Sequence, residues 1–210
     1  MRQHKRFITV EGGEGAGKTS VLKDLHQALI LEGHDVLMTR EPGGSVIAEK
    51  IRDVILDPAH KEMDDRTEAL LYAAARRQHL TEKVLPHLEK GGVVLCDRYV
   101  DSSLVYQGGA RGIGIEEVRE LNHFATEAFY PGKTFYFDVS PEVGLGRIAA
   151  NKGREFNRLD GESLAFHEQV RATYLTLAKE EPARITVIDA ERTQDEVLRD
   201  VLQKTRAHLG

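Results

Sequence analysis

Apolar and polar positions along this chain follow two periods. Short β-branched runs recur between longer stretches in which apolar residues return every three or four positions. Phe7-Ile8-Thr9-Val10 is the first such run. After a glycine-rich turn, Val21, Leu22, Leu25, Ala28 and Leu29 share a helical face that Gly33 closes. Residues 35–39 read as a second strand, stopped by Arg40-Glu41-Pro42-Gly43-Gly44. Ser45 then caps a helix carrying Ile47, Ile51, Val54 and Ile55, which Asp57-Pro58 ends. A long helical pattern runs from 65 or 66 to 90, interrupted only by Pro86 and stopped by Gly91-Gly92. Residues 93–96 form a third strand of the fully buried kind.

Further on, 100–107 predicts a loop or short helix, 116–129 a helix, and 134–139 a fourth strand. Pro141 opens a helix through Leu145 and Ile148. Residues 151–160 are polar, basic and weakly patterned. Phe166, Val170, Tyr174 and Leu177 then recur on one helical face. Residues 184–189 are the fifth strand, and Val197, Leu198, Val201 and Leu202 mark the last helix. Five alternations of strand and helix predict one α/β domain over 1–210, with a parallel sheet covered on both faces. A length of 210 residues suits one mid-sized domain.

Bulk properties narrow the partners. With 40% hydrophobic and 30% charged residues the chain has neither a disordered nor a membrane bias. A net charge of −5 argues against a nucleic-acid partner. No apolar run reaches a bilayer span, and the N-terminus lacks the apolar core of a signal peptide. Cys96 is the only cysteine, so intramolecular disulfides are impossible and a reducing, cytoplasmic setting is expected. Nine histidines show no close metal-ligand spacing. An anionic substrate must therefore be met by arginines gathered locally.

The chemistry centres on Gly12-Gly13-Glu14-Gly15-Ala16-Gly17-Lys18-Thr19, the G-x-x-x-x-G-K-T phosphate-loop spacing. Glycines let the backbone wrap an anion, its N–H groups and the next helix's positive end hold phosphate oxygens, and Lys18 adds a charge. The Thr19 hydroxyl can ligate Mg²⁺. A strand before and a helix after the loop distinguish it from an ordinary turn. Asp97, at the end of the third strand, stands where nucleotide-binding folds place a Mg²⁺ carboxylate, reached directly or through water. Arg98 beside it is suited to fork onto a phosphate. Tyr72 and Arg76, four apart on one helix face, can stack and hydrogen-bond a base. Spacing alone favours the plainer reading, a core tyrosine with a solvated arginine. Arg147, Lys152, Arg154 and Arg158 are either a solvated face or a segment that closes over a phosphoryl-transfer site. Asn151-Lys152 begins a guanine-reading pattern, but Arg154 stands where Asp is required.

In series, GGEGAGKT (12–19), TREPGG (39–44), LLYAAAR (70–76), DRYVDSSLVYQG (97–108), GREFNRLD (153–160) and VIDA (187–190) resemble the thymidylate kinases over nearly the whole chain. The resemblance implies a P-loop nucleoside monophosphate kinase fold, a five-stranded parallel sheet in the order 2-3-1-4-5 and a short lid at about 150–160. It implies transfer of the γ-phosphoryl of ATP to dTMP in dTTP biosynthesis, Mg²⁺ dependence and a homodimer. ATP would lie on residues 12–19. By the same likeness Glu14 contacts the sugar 3′-hydroxyl, Glu41-Pro42 borders the monophosphate, and Arg98 holds it. Tyr72 stacks on thymine, Arg76 and Ser103 touch the base, Tyr106 crowds C2′, and Gln107 continues that wall. Lys18, Arg98 and Arg158 would carry catalysis. Arg154 is displaced by one position from the family pattern Arg-Gly-Glu-Leu-Asp-Arg. Gly15 stands where some members carry a basic residue, so the charge must come from elsewhere. The competing readings are a kinase for another nucleotide or small metabolite, and a GTPase-like switch.

Overall fold

The computed structural model describes residues 2–150 and 161–210. Strands β1 (Arg2–Gly12), β2 (Val36–Arg40), β3 (Val93–Asp97), β4 (Phe129–Asp138) and β5 (Ile185–Asp189) form one sheet, ordered β2-β3-β1-β4-β5. Every pairing is parallel, and the predicted order holds. The helices are α1 (Lys18–Leu31), α2 (Val46–Leu56), α3 (Asp65–His79), α4 (Leu85–Glu89), α5 (Val100–Ser103) and α6 (Ile115–Thr126). They are followed by α7 (Pro141–Ala150), α8 (Leu164–Glu180) and α9 (Gln194–Leu209).

Because strand side chains alternate, β1 feeds two cores at once. Phe7 joins Val94, Cys96, Tyr136 and residues of α6 and α8 on one face. Ile8 and Val10 join Val93, Leu95, Phe135 and Phe137 under α1 and α9 on the other. This double burial explains why the strands read as continuous apolar runs. It also leaves the carboxyl ends of β1 and β3 side by side, where the strand order reverses and ligands of open α/β sheets bind.

Two boundaries differ from the sequence pattern. The helix expected to reach 129 stops at Thr126, Glu127 and Ala128 take left-handed backbone (φ 52° and 56°), and β4 begins at Phe129. The cause is non-local: Phe129–Pro131 pair with Arg2–His4 before the register shifts between His4 and Ile8. The long helical run from 65 is continuous but changes pitch, with a π-helical turn at Leu80–Val84 directly before Pro86. Proline removes an i→i−4 donor, and a π turn just ahead of it absorbs the mismatch. A second π segment, Leu104–Ala110, continues α5 where a loop or short helix is expected.

Polar residues are locked into this frame beneath the rim. Arg184 donates to both carboxylate oxygens of Asp101 at 2.6 and 2.7 Å, and both side chains are 2% exposed. Glu11, fully buried, accepts from the Tyr99 N–H at 2.7 Å, the Ser102 hydroxyl at 2.6 Å and the Tyr174 hydroxyl at 2.8 Å. It thereby ties β1 to α5 and α8. Burial, and next the nearby Asp101 carboxylate, raise its carboxyl from 4.5 to about 7.

Two outcomes follow from these groups. Asp101→Ala leaves the buried Arg184 guanidinium with Glu181 at 2.7 Å and Thr134 at 2.9 Å but without the carboxylate that takes both its Nη groups, and should lower stability by about 2–3 kcal/mol in urea titration; a loss below about 1 kcal/mol would show the pair to be dispensable. A carboxyl raised on folding stabilises fully below its unfolded value of 4.5, and that contribution is lost as pH rises through about 7. Glu11→Gln removes the titration, so its melting temperature relative to the parent should improve between pH 5 and pH 8. A difference that stays flat across that window contradicts the assignment.

Candidate active site

The phosphate loop leaves β1 at Gly12, whose φ of 148° and closeness to β4 both demand glycine: a Cβ there would lie 2.7 Å from the Phe137 carbonyl. Gly15 (φ 71°) packs against α7 so tightly that a Cβ would fall 2.1 Å from the Gly144 carbonyl. No side chain fits at 15, so a basic residue at that position is excluded sterically. α1 starts at Lys18 with Gly17 as its N-cap and no side-chain cap, so its first N–H groups face the loop. The Lys18 ammonium donates to the Gly12 and Gly13 carbonyls, both at 2.9 Å. Burial and then Arg98 lower its pKa to about 8.

Beside the loop, the Thr19 hydroxyl donates to Asp97 Oδ2 at 2.8 Å. Asp97 Oδ1 is buried with no hydrogen-bond partner among the described residues. An orphaned carboxylate oxygen next to a phosphate-loop hydroxyl is a donor set of the hard-oxygen kind that suits Mg²⁺.

Arg98, directly after β3, adopts φ 72° although it is not glycine. Its N–H is held by the Val10 carbonyl at 3.0 Å, and the next N–H, of Tyr99, by Glu11. This over-determined turn aims the guanidinium back across β1. There it donates to the Gly12 carbonyl at 3.0 Å, the Tyr106 hydroxyl at 3.3 Å and Glu14 Oε1 at 2.5 Å. Its charge also lies 5.2 Å from the Tyr106 ring centroid.

Arg76 corrects the plainer reading of its spacing. It is 2% exposed rather than solvated, while Tyr72 lies beside it at 9%. The Arg76 Nε donates to Glu41 at 2.7 Å, Nη1 to Ser103 at 3.0 Å and to Asn122, and Nη2 to the Tyr99 carbonyl at 3.0 Å. A guanidinium has five N–H donors and these contacts use four. His79 completes the cluster, bonding Glu41 Oε1 at 2.9 Å and the Thr39 hydroxyl at 2.8 Å. The Glu41-Pro42 peptide is cis.

These groups line two adjoining cavities. Tyr72, Arg76, Ser103, Tyr106, Gln107 and Pro42 wall the first, and Glu14 to Thr19, Asp97 and Arg147 wall the second. Glu14, Glu41, Arg52 and Arg98 border both, so the two are continuous. The sequence-predicted residues from 12–19, 41–42, 72–76 and 97–107 thus converge. Arg154 and Arg158 lie outside the described residues. Two cations escape sequence reasoning. Arg52, donating to the Pro42 carbonyl at 2.9 Å, is half-buried on the face of α2 that carries the buried Ala48 and Ile55, whereas the sequence pattern puts the apolar face at Ile47, Ile51, Val54 and Ile55, of which Ile47 and Val54 are exposed. Arg40, held to Glu49 at 3.0 Å, reads in the sequence only as part of a turn. A third cleft, behind the loop, is bounded by Ala16, Gly17, Arg147, Ala190, Thr193 and Val197. Arg147 donates to the Ala190 carbonyl there at 3.0 Å.

Comparison with known proteins agrees with this geometry. The sequence profile of the thymidylate kinase family, described as "Thymidylate kinase", matches residues 10–201. The thymidylate kinase of Geobacillus sp. strain WCH70 is 58% identical over 192 residues, covering 91% of each chain. That of Oceanobacillus iheyensis is 58% identical over 204 residues, covering 97% of this chain and 91% of the relative. The crystal structure of thymidylate kinase from Ehrlichia chaffeensis superposes with a TM-score of 0.76 at 30% identity, covering 95% of this chain and 97% of that one. With the phosphate loop, the buried Glu41–Arg76 pair and the sheet order all in one chain, this protein belongs to the thymidylate kinase family.

Proposed function

We propose that this chain transfers the γ-phosphoryl of ATP to dTMP, giving dTDP and ADP. The observation that carries the reading is the continuity of the two cavities across Arg98 and Glu14. A triphosphate on the loop and a monophosphate in the neighbouring cavity then meet end to end. The cleft of Ala16, Arg147 and Ala190 lies behind the loop, where a triphosphate's base would extend. Membership of the thymidylate kinase family supports dTMP as the acceptor.

The acceptor is a phosphate oxygen already ionised at neutral pH, so no strong general base is required. Positioning and charge neutralisation carry the rate. Lys18, freed from the Gly12 and Gly13 carbonyls, reaches the outer phosphates. Arg98 holds the acceptor phosphate, and Arg52 and Arg40 add charge at the same rim. Glu14, close to both cavities, takes the sugar 3′-hydroxyl, and Tyr106 crowds C2′. Tyr72 supplies the stacking plate for thymine, and the fifth donor of Arg76 meets a base carbonyl. Arg158 and Arg154 are assigned to the transferring group by resemblance alone. Thr19 and Asp97 would hold Mg²⁺, which supplies charge neutralisation on the β- and γ-phosphate oxygens when bound. A cytoplasmic homodimer completes the reading, supported by the exposure of Leu70 (57%) on α3 and Phe124 (87%) on α6.

Side-by-side assays of dTMP, dUMP, dCMP, AMP and shikimate test the acceptor. dTMP should lead, with dUMP a weaker but real substrate because one methyl is worth only about 1–3 kcal/mol; better turnover of AMP or shikimate would refute the proposal. Lys18→Ala should lower kcat about 10²–10³-fold with an unchanged melting curve, and a fully active variant would disprove the loop's role. Tyr106→Ala should narrow the preference for dTMP over its ribo analogue about tenfold. Unchanged discrimination in a kcat/KM comparison would remove Tyr106 from the sugar wall.

A further inference from the structure

Glu68, Tyr72 and Arg76 recur at four-residue intervals on α3, so a carboxylate, an aromatic ring and a guanidinium follow one another along one helix face. Tyr72 and Arg76 border the base cavity. Glu68 is 1% exposed and does not line it. Instead its Oε1 accepts from Gln107 Nε2 at 2.8 Å, and Gln107, itself 2% exposed, does line the cavity.

A glutamine amide has two ends of nearly equal shape, and its orientation is decided by its partners. A carboxylate offers only acceptors, so the amide must turn its NH₂ toward Glu68. The Arg111 guanidinium, which only donates, approaches the same carboxylate at 3.5 Å from Nε and Nη2, and is steadied by Glu162 at 2.6 Å. That leaves the Gln107 side-chain oxygen Oε1, which has no hydrogen-bond partner among the described residues, as the end turned to the ligand.

We infer that Glu68 is a positioning residue for base selection: it locks the Gln107 amide so that the cavity presents an acceptor to the base. The inference rests on the dTMP reading of the cavity. An imide base carries a donor at N3, which meets that acceptor, while the spare donor of Arg76 meets the adjacent carbonyl. Cytosine reverses both, with an acceptor at N3 and an amino group at C4. Sites built from fixed polar groups discriminate far more strongly than apolar ones, because a mismatch leaves buried groups unpaired. Thymine against uracil is decided by a methyl group; the imide bases against cytosine are decided by Glu68 acting through Gln107.

The test is steady-state kinetics on dTMP, dUMP and dCMP. In the unmutated protein kcat/KM for dCMP should fall at least about a hundredfold below that for dUMP; parity between the two overturns the inference without any variant. Glu68→Gln keeps the shape and the hydrogen bond but lets either end of the paired amides face the cavity. It should raise KM for dTMP several-fold, affect kcat less, and raise the dCMP-to-dTMP ratio of kcat/KM about tenfold, with Arg76 retaining the rest. Gln107→Leu separates the two levels of the argument. If it leaves KM for dTMP unchanged, the base does not occupy this cavity and the underlying reading fails. If it raises KM while Glu68→Gln matches the parent in KM and in base ratio, the assignment of Glu68 alone is overturned.

Discussion

The buried guanidinium groups at and beneath the rim of this net-acidic chain, among the described residues, are each held by a carboxylate, and that constraint organises the fold. Burying a guanidinium alone is prohibitive, whereas a buried pair with satisfied hydrogen bonds is tolerated and strongly oriented. Arg76 rests on Glu41, Arg98 on Glu14, Arg111 on Glu68 and Arg184 on Asp101. The partners come from separate elements, so each pair also pins two parts of the chain together. The surplus of acidic over basic residues is thus compatible with an anion site, because acidic residues hold the cations in place.

The pairs are not equivalent. Arg184 is taken up entirely within the protein by Asp101, Glu181 and Thr134, away from the cavities. Arg76 is held on four sides but keeps one donor unused among the described residues, which is what the proposed reading of a base carbonyl needs. Arg98 is held through its backbone as well, by Val10 and Glu11, so its aim does not depend on the bond to Glu14. Lys18 differs again, since its partners are the carbonyls of its own loop and burial pulls its pKa down toward 8. A phosphate offers that ammonium the opposite charge that its carbonyl partners lack.

Geometry at the switch point supplies the remainder. β1 is flanked by β3 and β4, so the loop after β1 and the turn after β3 emerge as neighbours. The loop can approach α7 because Gly15 and Gly144 present no side chains to each other. That same contact bars a side chain from position 15, so charge beyond that of Lys18 has to arrive from other segments.

Much of this was legible in the chain itself. The alternation of buried runs with amphipathic stretches determined a parallel sheet, because a strand covered on both faces has no polar side to show. The spacing of glycines, Lys18 and Thr19 determined the phosphate loop, because those residue types act within one local turn. Only tertiary structure decided the burial of Arg76, since its partners Glu41, Ser103 and Asn122 are remote in sequence and helix periodicity makes it look solvated. The start of β4 at Phe129 depended equally on the distant Arg2–His4 segment. The rim position of Arg52 and the grip of Glu68 on Gln107 were invisible for the same reason. Periodicity reports which face of an element is covered, but a buried charge is permitted only by partners that folding brings to it.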